Sequence, residues 1–359
     1  MQWMTMLRTI ITIGVLSVIA NHAVRYYFFM HYEKYDVIAR HAPGPCVPLD
    51  GADDGSEDLT ILSSGLTFIS SGIYPNKRGR ILLLDMNEPS PTVTEAQITG
   101  DHLDLATFSP HGIDTWTNLD TGEITLMVIN HTPDHERVEV FRYRKESKTL
   151  VHFKSITSQL WGNINDLVMT GENSFYVTKI LHSFRPWLRL LEHKLMLALG
   201  EVMFYDGVSV RSVAGGLHLP NGINMSPDGR FLYVSEGGRY QVKSCEILED
   251  NEIKCIEDIF LDTSLDNIEV DKLTGDLWIG CHPRYHQIVK HDAKYGGTIT
   301  PSQVLKLATS GGHFTDVVEV YLDPGTKMAG STVASIYNER MLVGTLASQL
   351  TLCDVIYTD

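Results

Sequence analysis

Residues 220–237 read PNGINMSPDGRFLYVSEG. A polar residue, Asn221, leads an apolar run, Ser226 to Gly229 carry turn chemistry, and Phe231 to Val234 resume a β-favouring run, so the phrase reads as strand, tight turn, strand. The phrase recurs as SEDLTILSSGLTFISSG from Ser56, PHGIDTW from Pro110 with ITLMVINH from Ile124, and NINDLVMTGENSFYVTK from Asn163. It returns as LDNIEVDKLTGDLWIGCHP from Leu265 and GSTVASIYNERMLVGTLA from Gly330. The starts lie at intervals of roughly fifty residues, the period of four-stranded propeller blades rather than of a helical solenoid. Six units predict an all-β chain folded as a six-bladed β-propeller. Blades arranged about an axis bring the leading residues Glu57, His111, Asn165, Asn221, Asp266 and Asn267 to one end of the central channel.

Composition agrees. The chain has 359 residues, 43% of them hydrophobic, enough to bury a large core, and its formal charge of -15 argues against nucleic acid and suits cation binding or plain solubility. Two parts are expected: an N-terminal segment over 1–40 and a propeller over 41–359 with a helical insertion near 183–202. Thr9 to Ala20 is an uncharged apolar run that Asn21 and His22 interrupt before AVRYYFFMHY. Twelve residues are too few to span a bilayer, for which about twenty are needed. With its aromatic second half the segment reads as a tilted or interfacial signal anchor, Tyr26 to Phe29 forming an interfacial belt, and Val18 and Ala20 supply the small-residue end that a cleavable signal peptide needs. Either way the chain enters the secretory pathway, to be anchored with the propeller in the ER lumen or outside the cell, or secreted.

The five cysteines fit that oxidising route. A propeller must close its ring, and Cys46 before the first phrase with Cys353 near the end is the pairing that does so. Such a link stabilises by about 4 to 5 kcal/mol on the chain-entropy model. Cys245 and Cys255 flank the turn-like EDNE, where a hairpin sets them opposite each other as a second disulfide. Cys281 is left as a buried thiol.

Glu57-Asp58, Asn165-Asp166 and Asp266-Asn267 are adjacent pairs of hard oxygen donors. Strand neighbours point to opposite sides, so each pair can serve two different centres. Carboxylates and amides with little Cys or His favour calcium over zinc. Glu57 and Asp266 as the charged members, with Asn165, Asn221 and Asn267 as neutral ones, would roughly neutralise one Ca2+.

With GSEDL, ISSG, ILLLDMNE, PHGI, VINH, NINDLV, NGINMSPDG, DNIEVD, TGDLWIGCHP and GSTVAS, the chain resembles the serum paraoxonases over almost its whole length. These are calcium-dependent lactonases and arylesterases built on a six-bladed propeller. The resemblance implies a catalytic calcium on Glu57, Asn165, Asn221, Asp266 and Asn267. It implies a second, structural calcium on Asp58, Asp166 and the backbone carbonyl of Ile113. His111 and His131 match a pair that activates water for attack on a lipophilic lactone or aryl ester. The disulfide Cys46–Cys353 and the free thiol Cys281 also match, whereas Cys245 and Cys255 lie outside the usual pattern.

One stretch departs from that pattern. At 177–184 the chain reads VTKILHSF, keeping His182 but placing Ile180 and Leu181 where the family carries an Asn-Asp-His run in its substrate wall, so a different wall is expected. The following RPWLRLLEHKLMLALGEVMF has helical period, with Trp187, Leu188, Leu191, Leu195 and Leu199 near one face and Pro186 at its start. The resemblance places this helix over the site and near a lipid surface, where Arg185, Arg189 and Lys194 would meet anionic head groups. Two glycosylation sequons, at Asn130 and Asn224, fall inside blade motifs, where a glycan has little room. A second functional reading keeps calcium for stability alone. In it the chain is a paraoxonase-like membrane protein that assists folding or assembly of ion-channel subunits, with a membrane-protein partner.

Overall fold

The computed structural model describes residues 2–34, 39–75, 77–100, 103–292, 294, 297–346 and 348–356. Parts of the expected anchor (1 and 35–38) and the last residue of the sixth phrase (347) lie outside the described residues.

Six sheets, antiparallel but for one added strand in blade 2, surround a central axis. Their inner strands are Leu59–Ile61, Pro110–Thr117, Asn163–Gly171, Pro220–Met225, Ser264–Val270 and Ser331–Tyr337, and each touches the next around the ring. Each blade then runs outward in chain order, as in Asn163–Gly171, Ser174–Leu181, Gly200–Tyr205 and Val210–Leu217 of blade 3. Blade 2 carries a fifth strand, Gln97–Thr99, paired in parallel with Thr149–Ile156. Blade 6 is completed by the N-terminal strand Cys46–Leu49 on Leu350–Asp354, with Cys46 directly opposite Cys353. Their disulfide ties positions 307 residues apart, so the first and last strands of the ring share one sheet and the ring has no open seam. Cys245 and Cys255 face each other across two outer strands of blade 4 and are bonded, and Cys281 is a buried free thiol.

The core lies between blades. Val138, Val140, Met127 and Ile129 of blade 2 pack against Leu167, Phe175 and Val177 of blade 3, and similar layers repeat around the ring. Alternation of apolar residues along each strand supplies these contacts on both sheet faces.

Among the described residues three α-helices meet one another. Helix α1 (Gln2–Phe29) is continuous through Asn21 and His22, longer than the twelve-residue apolar run, and is long and apolar enough to cross a membrane by length and composition. Its end docks on the propeller: Phe29 and Met30 are buried against Leu219 and Tyr240. Helix α2 (Pro186–Lys194) starts with Pro at its first turn, where no N–H is needed, and ends with His193 and Lys194, whose charge type suits a helix C-terminus. It is shorter than the helical period from 185 to 202 suggests. Met196 adopts a left-handed conformation that stops the helix, and Gly200–Tyr205 is the third strand of blade 3. Helix α3 (Tyr285–Asp292) follows blade 5 and meets α1, His286 N–H donating to the Met30 carbonyl at 2.9 Å. His22 and the Lys194 carbonyl, 2.9 Å apart, and Lys194 Nζ with the Tyr26 hydroxyl, 2.7 Å apart, tie α1 to α2.

Candidate active site

The same irregularity opens most inner strands. Pairing with the second strand breaks register between Pro110 and Ile113, Ile164 and Leu167, Pro220 and Ile223, Leu265 and Ile268, and Ser331 and Val333. These intervals hold His111, Asn165 with Asp166, Asn221, Asp266 with Asn267, and Thr332. Such bulges bend a strand and re-aim side chains, which is how successive residues here leave the regular alternation. Glycines make the approach possible: a Cβ on Gly112 would sit 2.6 Å from the Asn165 carbonyl oxygen, and one on Gly222 would sit 2.5 Å from Asn267 Cα.

Of the leading residues, Glu57, His111, Asp266 and Asn267 come within reach of one another. Glu57 is 1% exposed. Asn267 Nδ2 donates to Glu57 Oε1 at 3.0 Å and to its carbonyl at 3.1 Å, and Thr332 Oγ1 donates to that carbonyl at 2.6 Å. This fixes the Asn267 amide with its nitrogen toward Glu57 and its oxygen elsewhere. Asp266 Oδ2 accepts from His282 Nε2 at 2.8 Å. Four buried side-chain oxygens of the set, Glu57 Oε2, Asn165 Oδ1, Asn221 Oδ1 and Asn267 Oδ1, have no hydrogen-bond partner among the described residues. Buried polar groups are ordinarily satisfied, and leaving one unpaired costs about 1–3 kcal/mol. Four together, all oxygens, at the heads of four inner strands, is the donor chemistry of a hard cation. Among the described residues no three His, Cys, Asp or Glu form a metal-holding group, as expected of a set in which amides outnumber acids.

The second members of the pairs behave differently. Asp58 accepts from Leu59 N–H at 2.9 Å and from Ile113 N–H of the next blade at 2.7 Å. Asp166 repeats this with Leu167 at 2.7 Å and Ile223 at 2.8 Å. These carboxylates therefore stitch neighbouring inner strands, which share no sheet. Burial pushes Glu57, Asp58 and Asp166 well above the usual carboxylate range, and mutual repulsion adds to it: Asp266 acts on Glu57, Glu57 on Asp58, and Asp58 on Asp166.

The two histidines form a pair. His111 Nδ1 and His131 Nε2 are 2.7 Å apart, and His111 Nε2 is 3.2 Å from Glu57 Oε1. Burial, then the neighbouring His131, pushes His111 down to about 3, so the ring is neutral with a lone pair at physiological pH. His131 Nδ1 lies 2.5 Å from Glu136 Oε2.

Sequence reading missed His282, Thr332, Glu136 and Tyr74. His282 follows Cys281 in a strand that reads as apolar, and Glu136 becomes visible only when the hairpin after His131 is folded. Tyr74 is buried beside the acids, its hydroxyl pushed up by burial and Asp292, with Glu57 and Asp266 contributing. The divergent stretch 177–184 does not enter the channel as a polar wall. Ile180 and Leu181 pack against the α1 end around Phe29 and Met30, and the His182 N–H donates to Glu192 of α2 at 2.7 Å. Both sequons are occupied by structure: Asn130 Nδ2 donates to Glu139 at 2.9 Å, and Asn224 Nδ2 to the Ile268 carbonyl at 2.9 Å. A glycan on either would displace these buried bonds.

The architecture is a six-bladed propeller of a kind shared by proteins of diverse sequence. A calcium structure of a Trichoderma reesei carbohydrate-active enzyme of family AA12 superposes with TM-score 0.57 at 11% identity, covering 90% of this chain and 98% of that one. A luciferin-regenerating enzyme gives TM-score 0.52 at 10% identity, covering 86% and 94%. Sequence narrows this further. The profile of the arylesterase family matches residues 38–355. Human serum paraoxonase/arylesterase 1 is 39% identical over 318 residues, 86% of this chain and 88% of its own length. The mouse protein of that name is 36% identical over 349 residues, 95% and 97%, and rabbit serum paraoxonase/lactonase 3 is 34% identical over 319 residues, 87% and 89%. The chain belongs to the arylesterase family, and is a hydrolase of the esterase/lactonase type.

Proposed function

We propose that this protein is a calcium-dependent hydrolase of lipophilic lactones and aryl esters, held at a luminal or extracellular membrane surface. The names of its relatives, arylesterase and lactonase, support the substrate class. The observation that carries calcium is the set of four unpartnered buried oxygens on Glu57, Asn165, Asn221 and Asn267. With Asp266 these residues would hold one ion. Asp58, Asp166 and the Ile113 carbonyl would hold a second, structural one, the carboxylate oxygens retaining lone pairs beyond the single N–H each accepts. Charge is consistent with the count: the four carboxylates of Glu57, Asp58, Asp166 and Asp266, ionised around bound cations, would be balanced by two divalent ions.

A bound calcium supplies electrostatic stabilisation to the oxyanion that develops on the substrate carbonyl. The protein's own part is to deliver water. His111 Nε2 faces the Glu57 level and takes the proton of the attacking water, and His131 orients the ring from behind. Glu57 and Asp266 stabilise the imidazolium so formed, while Asn267, Thr332 and His282 hold the two carboxylates in place.

Lipophilic substrates and a membrane fit α1 and α2. Trp187, Leu190, Leu191, Leu195 and Leu199 on and after α2 are 43–58% exposed. At 1.5 Å per residue α1 is about 42 Å long, against about 30 Å of hydrocarbon. Burial of Phe29 and Met30 on the propeller favours an α1 that is retained rather than cleaved.

The test is hydrolysis of phenyl acetate and a medium-chain lactone by the full chain in detergent, with calcium and with a chelator, beside Asp266→Ala. Calcium-dependent turnover lost in the variant is the expected result. Turnover that survives chelation in both proteins would sink the proposal, and calcium-stabilised folding with no turnover on either substrate would favour the assembly-factor reading.

A further inference from the structure

We infer that Glu136 is a positioning residue for the hydrolysis: its carboxylate fixes the tautomer of His131 and thereby leaves His111 Nε2 bare toward the channel. The inference rests on the proposed role of the histidine pair.

The geometry begins in a hairpin. Strands Ile124–His131 and Glu136–Arg144 pair so that His131 stands directly opposite Glu136. The four residues between them, Thr132 to His135, are internally bonded. Thr132 Oγ1 donates to Asp134 Oδ1 at 2.8 Å, His135 N–H donates to Thr132 Oγ1 at 3.3 Å, and Thr132 N–H donates to the Asn130 carbonyl at 3.1 Å. The loop thus holds the register, and cross-strand partners have Cβ atoms about 4.5–5.5 Å apart, within reach of one carboxylate. The Glu136 side chain is 10% exposed, and among the described residues no Lys or Arg pairs with it; its ion-pair partner is His131.

Four groups then stand in a row: Glu57 Oε1, 3.2 Å, His111, 2.7 Å, His131, 2.5 Å, Glu136 Oε2. An ionised carboxylate only accepts, and a neutral imidazole has one donor and one acceptor nitrogen. Two directions are therefore open to the row. If Glu136 takes the hydrogen on His131 Nδ1, then His131 Nε2 accepts, His111 Nδ1 donates, and His111 Nε2 is a lone pair. If Glu57 takes a hydrogen from His111 Nε2, every bond reverses and no base faces the channel. The carboxylates compete, and the geometry favours Glu136: Glu57 Oε1 already accepts from Asn267 Nδ2 at 3.0 Å and lies 3.2 Å from His111 Nε2, whereas His131 is the one ion-pair partner of Glu136 among the described residues. A cation on Glu57 would widen the difference by drawing on that carboxylate.

The same row accounts for the step that follows. A proton arriving from water at His111 Nε2 gives three hydrogens for three contacts, on His111 Nε2, His111 Nδ1 and His131 Nδ1. Every link is then satisfied without moving a second proton. No proton moves to or from Glu136 in this step, so its contribution is to orient His131.

The experiment measures kcat and KM for phenyl acetate in calcium on the full chain and its Glu136→Gln, Glu136→Asp and His131→Gln variants. A Gln amide can turn its NH2 to His131 Nδ1 and so admit the reversed row. The expected result is a fall in kcat of about 10- to 100-fold for Glu136→Gln, below the range of about 10²–10⁴ that a general base contributes. KM should hold within about twofold, and Glu136→Asp should recover part of kcat, a pattern that lost packing would not give. Wild-type kcat in Glu136→Gln beside an impaired His131→Gln overturns the assignment and leaves the histidine pair standing. Wild-type kcat in both overturns the pair and the assignment together. Should Glu136→Gln fail to fold, the imidazole 15N shifts of the wild-type protein decide: hydrogen on His131 Nδ1 with a bare His111 Nε2 is expected, and the reverse overturns the inference.

Discussion

Two rings of polar side chains line the same channel, and they differ in how their atoms are satisfied. The upper ring is Glu57, His111, Asn165, Asn221, Asp266 and Thr332. Three residues further along five of the same strands, about 10 Å deeper at strand rise, stand Thr60, Asp114, Asn224, Glu269 and Ser335. Both rings are acidic and buried, and burial raises Glu269 and Asp114 as it raises Glu57. In the lower ring, however, every carboxylate oxygen is spoken for. Glu269 accepts from Asn224 Nδ2 at 3.0 Å and Ser335 Oγ at 3.3 Å, and Asp114 from the N–H groups of Met169 and Thr115, each at 2.7 Å. The upper ring leaves three oxygens without a partner, on Glu57, Asn165 and Asn221, and the adjoining Asn267 adds a fourth. Acidity alone therefore does not set the two rings apart; unpaired oxygens do, because buried polar groups are ordinarily satisfied.

The comparison breaks first, and hardest, at Asp266. Asp266→Ala is expected to lower kcat by at least about 100-fold, the scale on which a single group stabilising an oxyanion acts, and to abolish calcium-dependent turnover in a phenyl acetate assay. Next comes Asp58, which stitches two blades and belongs to the proposed structural site. Asp58→Ala should cost about 3–5 kcal/mol, as breaking a buried charge set does, and lower Tm in calcium more than His111→Ala does. Equal melting temperatures for the two variants would contradict the structural role. Glu269 tests the other ring. Glu269→Gln keeps an acceptor for Asn224 and a group that can meet Ser335, so kcat should be unchanged and stability should shift by less than about 1 kcal/mol in urea denaturation.

The smallest effect concerns neither ring. Three histidines, His31, His193 and His218, surround the docked end of α1, and burial first, helped by Lys34, Lys194 and Arg239 respectively, pushes each down to about 4. Asp262 opposes the shift at His31. A histidine whose folded value lies below its ordinary 6.5 binds fewer protons folded than unfolded, so its stability is present above pH 6.5 and is lost as pH falls toward 4. Melting temperature should decline by a few degrees between pH 7 and pH 5, and His218→Phe should flatten that decline. A profile as steep in the variant as in the wild type would contradict it.

How much of this was legible in the chain follows from which interactions are local. The repeat carries the propeller because each phrase encodes its own strand, turn and strand, and the ends of the chain carry the closing disulfide. The adjacent oxygen pairs at Glu57, Asn165 and Asp266 mark the upper ring because each sits at the head of a phrase. The lower ring was invisible as a ring: Asp114, Asn224 and Glu269 read as the polar members of ordinary alternation. Register breaks were also hidden, since a period of two cannot announce a bulge. Glu136 and His282 escaped because their meaning lies in a partner across a strand. Helix α2 was overdrawn past Lys194 because Leu195, Leu197 and Leu199 continue an apolar spacing that the left-handed turn at Met196 ends.

The central claim, that the upper ring binds calcium and the lower ring does not, is open to direct counting by equilibrium dialysis of radioactive calcium against the stripped full chain, its Asp266→Ala variant and its Glu269→Gln variant. The account predicts two ions bound by the wild type, one fewer in Asp266→Ala, and the wild-type count in Glu269→Gln. An unchanged count in Asp266→Ala, or an ion lost in Glu269→Gln, would contradict it.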